Sequence, residues 1–422
     1  MKKKLFSSTM VYTNFIVLIY LTCYPLIAYT RWLVSCDILP EKNQTNISSC
    51  FPIESDFIID DPEISPDYNW ITWQSSPLMN QDGTVQEHGA IYVAPIDQKT
   101  GNIIFPETQA FPTAHPGPLF YDGRPLGNGP EFALSQRGTE IFFKSFTEDE
   151  KTMEIRRIFQ EDEKKWKFTT VPNSRRNSFS GSSTNLNDIY PLILWKKLSG
   201  SFQTHLEAIS KGIRIDSDNP SNISLVKGIS KTRWVPNPTG PTSELLLLRE
   251  ITENGVHVAS LNIYNIISQK YEDIPTNGQP VKHIWAWAAP ELDGEIVLLA
   301  TIKEPERDIV NLYRRNQEKN WEIWNTIESI DDFFPYVDSP EVFVFGNHSF
   351  VFMVWMDTED RDQNQTRSII TLATADPNMA SSEISHRIVS KEFTLNGSFK
   401  HDPEVYLYDD KRKARIIYMD FQ

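Results

Sequence analysis

The sequence predicts an all-β protein, a β-propeller built from four-stranded blades, with an N-terminal hydrophobic helix ahead of it. Three observations carry that expectation. A short phrase recurs along the body of the chain, the text between its copies reads as strand, hairpin turn, strand, and no long helical periodicity follows residue 36. A composition with 11 Trp, 24 Phe and 15 Tyr suits strands better than helical bundles.

The phrase is clearest at "DDPEISPDYNWITW", residues 60–73, and at "HDPEVYLYDDKRKARIIYMDF", 401–421. Further copies are "GPEFALSQRGTEIFFKSF" (129–146), "APELDGEIVLLATI" (289–302) and "SPEVFVFGNHSFVFMVW" (339–355). Each is a small or acidic residue, Pro-Glu, a short strand, a polar turn and an apolar strand. Two degraded copies, 183–198 and 235–251, lack Pro-Glu but keep the turn and the strand after it. Between copies, 89–105, 153–171, 257–274 and 309–327 each supply two more strands around a polar hairpin turn. One repeat is therefore four antiparallel strands.

A lone four-stranded sheet of this kind exposes two apolar faces and buries them only between neighbours in a closed ring. Motif counting gives seven blades, or six if one degraded copy is a long loop. Pro-Glu is expected to open the innermost strand, where a proline costs least. Ser65-Pro66-Asp67-Tyr68 is expected to turn the chain into the second strand. The last copy has only two strands before Gln422, so an early segment must complete it; the material around 50–59 is the expected source.

Three segments follow. Residues 1–36 read as a signal peptide or membrane anchor. Lys2, Lys3 and Lys4 precede an apolar run at 15–29, and only Arg31 follows it, which places the body on the non-cytoplasmic side. Residues 37–56 read as a linker that can hold a closing strand, and 57–422 as the propeller. "LVSC" at 33–36 resembles a bacterial lipoprotein box, which makes Cys36 a lipidation candidate; the alternative is a Cys36–Cys50 disulfide. No cysteine follows Cys50, so the body does not depend on cysteine metal sites.

A formal charge of −15 argues against a nucleic-acid partner. The phrase itself carries the chemistry. Asp61, Glu63, Glu131, Glu291, Glu341, Asp402 and Glu404, with Asp60 and Asp338, are placed where innermost strands line a channel. Such carboxylates raise one another's pKa, and can bind a ligand or a cation such as calcium. A structural reading competes: a carboxylate at each strand start can simply bond backbone N–H groups. His115, in the Pro/Gly-rich loop 113–129, is a candidate to overhang the channel. Serine-hydrolase elbows, phosphate-binding loops and dinucleotide fingerprints are absent from the sequence.

On "PEISPDYNWITW" and "PEFALSQRGTEIFF" the chain resembles the repeat of TolB-type propellers, with Tyr68 where that repeat has glycine. The resemblance implies a membrane-anchored, extracytoplasmic propeller that binds a partner protein or small ligand at the channel mouth. "DDPEI", "IYVAPIDQKTG" and "RSIITLATADP" also resemble the five-bladed glycosidases acting on arabinans and xylans. That resemblance implies Asp61 as a catalytic base. The acid position before Gly-Pro is held here by Asn128, and the one before Ser339-Pro340 by Asp338. A glycoside hydrolase using channel carboxylates is thus the alternative to a binding propeller, and no other catalytic residue is expected.

Overall fold

The structure, a computed structural model, describes residues 31–421 apart from internal stretches, the longest being 106–118, 181–191 and 215–224. It shows six full blades, each a four-stranded antiparallel sheet. Blade 1 is Ile59–Ile64, Trp70–Ser75, Ile91–Pro95 and Leu119–Phe120. Blade 2 is Glu131–Ser135, Gly138–Phe146, Met153–Asp162 and Lys165–Thr170. Blade 3 is Ile229–Val235, Glu244–Glu253, Val256–Asn265 and Lys270–Ile274. Blade 4 is Val281–Ala289, Glu295–Lys303, Asp308–Arg315 and Trp321–Ile327. Blade 5 is Tyr336–Phe345, His348–Met356, Ser368–Thr374 and His386–Ile388. Blade 6 joins Phe399–Tyr408 and Lys413–Phe421 to Arg31–Glu41 and Gln44–Ile53.

The count of seven is therefore corrected to six. Of the degraded copy at 183–198 the described part is the strand Leu192–Trp195, which belongs to a far smaller sheet falling in sequence between blades 2 and 3, with strands two to four residues long, from Ser178–Ser180 to Ile213–Arg214. Strands that short offer little area to a neighbour.

Packing follows the logic of the ring. Ile91 and Val93 of blade 1 meet Phe132, Ile141 and Phe143 of blade 2. Blades 5, 6 and 1 share one core, containing Phe352, Tyr418 and Trp73. Blades 4 and 5 share another around Trp287 and Trp355, and blades 3 and 4 a third around Leu246 and Leu298. Strands in such a stack are buried on both faces. Ser368–Thr374 is buried at every position, so its apolar text runs nearly unbroken instead of alternating.

The ring closes on the chain's two ends, as expected, but with a longer early segment than 50–59. Arg31–Ile38 pairs with Ala414–Phe421, and Gln44–Ile53 lies outside it. Among the described residues this strand already occupies 31–36, inside the segment assigned to the signal or anchor. Cys36 and Cys50 face each other across these strands and form a disulfide. This corrects the lipidation reading of Cys36, since a sulfur bonded to another sulfur cannot carry a thioether lipid. The N-terminal hydrophobic helix falls at 1–30, outside the described residues. Among those residues no helix is long and apolar enough to cross a membrane.

The Ser65–Tyr68 turn forms as expected. The Tyr68 N–H donates to Ser65 O at 2.8 Å, and Ser65 Oγ donates to Asp67 Oδ1 at 2.6 Å. Tyr68 adopts the left-handed φ of 62° that glycine would supply freely.

Candidate functional site: a ring of channel carboxylates

The first strands of blades 2, 1, 6, 5, 4 and 3 neighbour one another in that order and form the innermost layer. In three of them the Pro-Glu phrase makes the same backbone device. Pairing with the second strand slips between Asp60 and Glu63, between Asp338 and Glu341, and between His401 and Glu404. The residue before each proline, Asp61, Ser339 or Asp402, has a positive φ of 51°, 44° or 45°. This is a β-bulge, not the strand start expected from the sequence. The physical reason is the same one applied elsewhere: a bulge leaves a residue unpaired, so proline's missing N–H is not needed there. Pro62, Pro340 and Pro403 are buried, and the acids beside them project into the ring.

Six of the seven predicted carboxyl groups converge. Asp61 and Glu63 come from blade 1, Glu131 from blade 2, Glu341 from blade 5, Asp402 and Glu404 from blade 6. Burial first, then the charges of Asp402, Asp60 and Glu131, push the Asp61 pKa up to about 8, with a hydrogen bond from the Gly129 N–H acting against this. Glu341 is pushed to about 7 by burial, opposed by Arg233 and reinforced by Glu131 and Asp402. Glu63 and Glu404 are held well above the usual carboxylate range by burial and by each other's neighbours, Glu341 among them. Burial also raises Glu131, against the pull of Arg233 and Lys144.

Gly129 explains how blade 2 comes so close. An added Cβ there would stand 1.5 Å from Asp61 Oδ2, so only glycine lets the chain pass against that carboxylate.

Arg233 was not anticipated from the sequence. It lies on the first strand of blade 3, its guanidinium 4.6 Å from the centre of the Trp285 ring of blade 4, and its charge reaches Glu63, Glu131 and Glu341. The usable signal was positional: blade 3 has no Pro-Glu, and its inner strand precedes the degraded copy counted from 235.

Glu291 is a correction. Its Pro-Glu follows the inner strand of blade 4, in the 3₁₀ turn Pro290–Leu292. Blade 4 makes its own pairing slip between Val281 and Ile284, so Ile284 occupies the place that glutamate takes in blades 1, 5 and 6. Asp338 is buried in blade 5, with Oδ1 3.4 Å from His283 Nε2. His115 lies outside the described residues.

Strand order, shared bulges and end-to-end closure decide the architecture. The chain is a β-propeller. No protein-family model matches it, and no curated protein matches its sequence. Solved structures do. TolB from Acinetobacter baumannii is similar at 12% identity and a TM-score of 0.37, over 69% of this chain; the propeller spans 62% of that TolB chain. The β-propeller domain of the Trilobed protease from Pyrococcus furiosus is similar at 12% identity and 0.45, over 86% of this chain and 95% of that one. The α-L-arabinofuranosidase PaAbf62A from Podospora anserina is similar at 8% identity and 0.30, over 61% of this chain and 89% of its own. At these identities the likeness is one of fold.

Chemically, the propeller's ring is an all-oxygen donor set with protons to release. Within it Asp61, its pKa pushed up to about 8 by burial and the neighbouring carboxylates, is mostly protonated at neutral pH.

Proposed function

We propose that the protein is an extracytoplasmic binding propeller whose channel carboxylates hold a cation, either a hard ion such as calcium or the cationic group of a small ligand or partner. One observation carries this reading. Six enclosed carboxyl groups from four blades converge beside Arg233, with five of them raised in pKa by burial and mutual charge. Like charges gathered this way are costly alone and are stabilised when a cation enters. The Cys36–Cys50 disulfide supports an oxidising compartment, and the lysine-flanked apolar run at 15–29 supports attachment to a membrane.

Binding must displace protons, so affinity rises with pH. Calorimetric titration with Ca²⁺ at pH 6.5 and 8.5, in buffers of different ionisation heat, tests this. The expected result is tighter binding at pH 8.5 with proton release, lost in E63Q. The absence of heat and of thermal stabilisation with millimolar Ca²⁺ at pH 8.5 would overturn the reading.

The glycosidase alternative is favoured by one feature only: Asp61 is an acid held protonated beside other carboxyl groups. Its role would then be acid, not base. Release of reducing sugar from arabinan or xylan oligosaccharides, abolished in D61N, is the result that would establish it.

A further inference from the structure

Outside the channel, a second constellation joins blades 4 and 5. A carboxylate oxygen of Glu291, a ring nitrogen of His348 and a carboxylate oxygen of Asp376 lie within 4.8 Å of one another, and all three residues are half-buried. Glu291 comes from the 3₁₀ turn of blade 4. His348 opens the second strand of blade 5, and Asp376 follows its third.

The two carboxylates are held from behind by hydrogen bonds, and the histidine is placed by a turn. The His348 side is set by a two-residue turn in which Gly346 and Asn347 take φ of 56° and 67°, the tight geometry that joins adjacent strands without splaying them. Asp376 Oδ1 accepts from the Asn378 N–H at 2.9 Å, and its Oδ2 stands 3.6 Å from His348 Nδ1, too far for a hydrogen bond. Asn378 Nδ2 donates to Glu291 O at 2.8 Å, tying the two turns together. The Glu291 carboxylate accepts from the Ser349 N–H and from Ser349 Oγ, the latter at 2.9 Å. Ser349 Oγ in turn accepts from Trp287 Nε1 at 3.0 Å. Backing bonds of this kind orient ligands around metal ions.

The donor set is one imidazole and two carboxylates. It suits a borderline divalent ion, whereas calcium prefers oxygen alone. Bonds of roughly 2.0–2.2 Å to zinc bring ligand atoms to about 3–3.5 Å of one another, within reach of small side-chain rotations.

We propose that Glu291, His348 and Asp376 form a site for a divalent transition ion of the zinc class that clamps blade 4 to blade 5. Three protein ligands leave a further position for water or an exogenous group. This site is separate from the channel, and its test is separate too.

The test is titration of the full, disulfide-intact chain with Zn²⁺ alone near pH 7.5, by calorimetry and by thermal melting. Expected are one zinc per chain at micromolar affinity, a raised melting temperature, and no competition from Ca²⁺. H348A and D376N should each weaken zinc binding roughly tenfold or more, while melting like the parent without zinc. Calcium binding in the channel should survive both substitutions, and zinc binding should survive E63Q. No zinc binding below millimolar concentration would overturn the proposal, as would full affinity in D376N or H348A.

Discussion

Asp61 is held at φ 51° directly before a proline, a combination that sterics disfavour twice. Left-handed backbone at a non-glycine residue costs on the order of 1–3 kcal/mol, yet Ser339 and Asp402 repeat it at the same place in their blades. The strain delivers acids to the ring, and the ring makes stability depend on pH. A carboxyl whose folded pKa lies above its unfolded value keeps its proton in the folded state while the unfolded chain loses it. Stability therefore falls as pH rises between the two values, from 3.8 to about 8 for Asp61 and from 4.5 to about 7 for Glu341. His386 opposes this at the acid end. Burial holds it down to about 4, so it withdraws stability as pH falls below its ordinary 6.5. Between pH 6.5 and 8 the carboxyls act unopposed by it. Denaturant unfolding should show the cation-free protein losing stability across that interval. E404Q should reduce the loss, raising stability at pH 8 by something of the order of 1 kcal/mol, since one pKa unit is about 1.4 kcal/mol, while weakening Ca²⁺ binding. At this scale the sequence was readable wherever Pro-Glu sits in an inner strand, as at Glu63, Glu131, Glu341 and Glu404. It misled at Glu291, because a dipeptide does not say which end of a strand it occupies. Arg233 belongs to no phrase, and only the folded ring brings it to the acids.

The element with most at stake is blade 6, where the outer two strands are held by hydrogen bonds and by one covalent link. The Cys36–Cys50 bond closes a separation of 14 residues. A loop of that size is worth about 3 kcal/mol in the chain-entropy account. C50S, or reduction with dithiothreitol, should lower stability by about that amount and should make Gln44–Ile53 exchange its amide hydrogens early, before the inner strands do. Equal protection of that strand in oxidised and reduced protein would show that pairing alone secures it. The four-strand unit and the turn at Ser65–Tyr68 were legible because turn residues and strand residues differ in kind. The small sheet at 178–214 was not. Its copy preserved a turn and an apolar run, which is the same text that a full blade uses.

For the molecule as a whole, closure is reinforced where three distant segments meet. Arg415 Nε donates to Asp37 Oδ1 at 2.7 Å, and its NH1 group donates to Gly101 O at the same distance. Tyr406 Oη donates to Gly101 O at 2.7 Å, and Tyr408 Oη to Asp37 at 3.1 Å. Blade 6 is thereby fastened both to the early strand that completes it and to the hairpin of blade 1. R415A removes the cation and leaves Asp37 and a carbonyl partly buried without it. The expected loss is about 3 kcal/mol, read from denaturant unfolding, with the Ca²⁺ and Zn²⁺ titrations of the surviving folded protein unchanged. That the chain returns to its own beginning was visible in the repeated phrase. Which residues meet there was not, since Asp37 and Gly101 carry no pattern.

The sheet shared by Arg31–Ile53 and Phe399–Phe421 also sets a timetable. The strands at 31–53 are made before the rest of the ring, yet their partner at 413–421 follows about 360 residues later. At typical synthesis rates that is roughly twenty to seventy seconds during which two bare edges wait in an unfinished circle. Shielding those edges from other nascent chains is a demand that the finished molecule no longer displays.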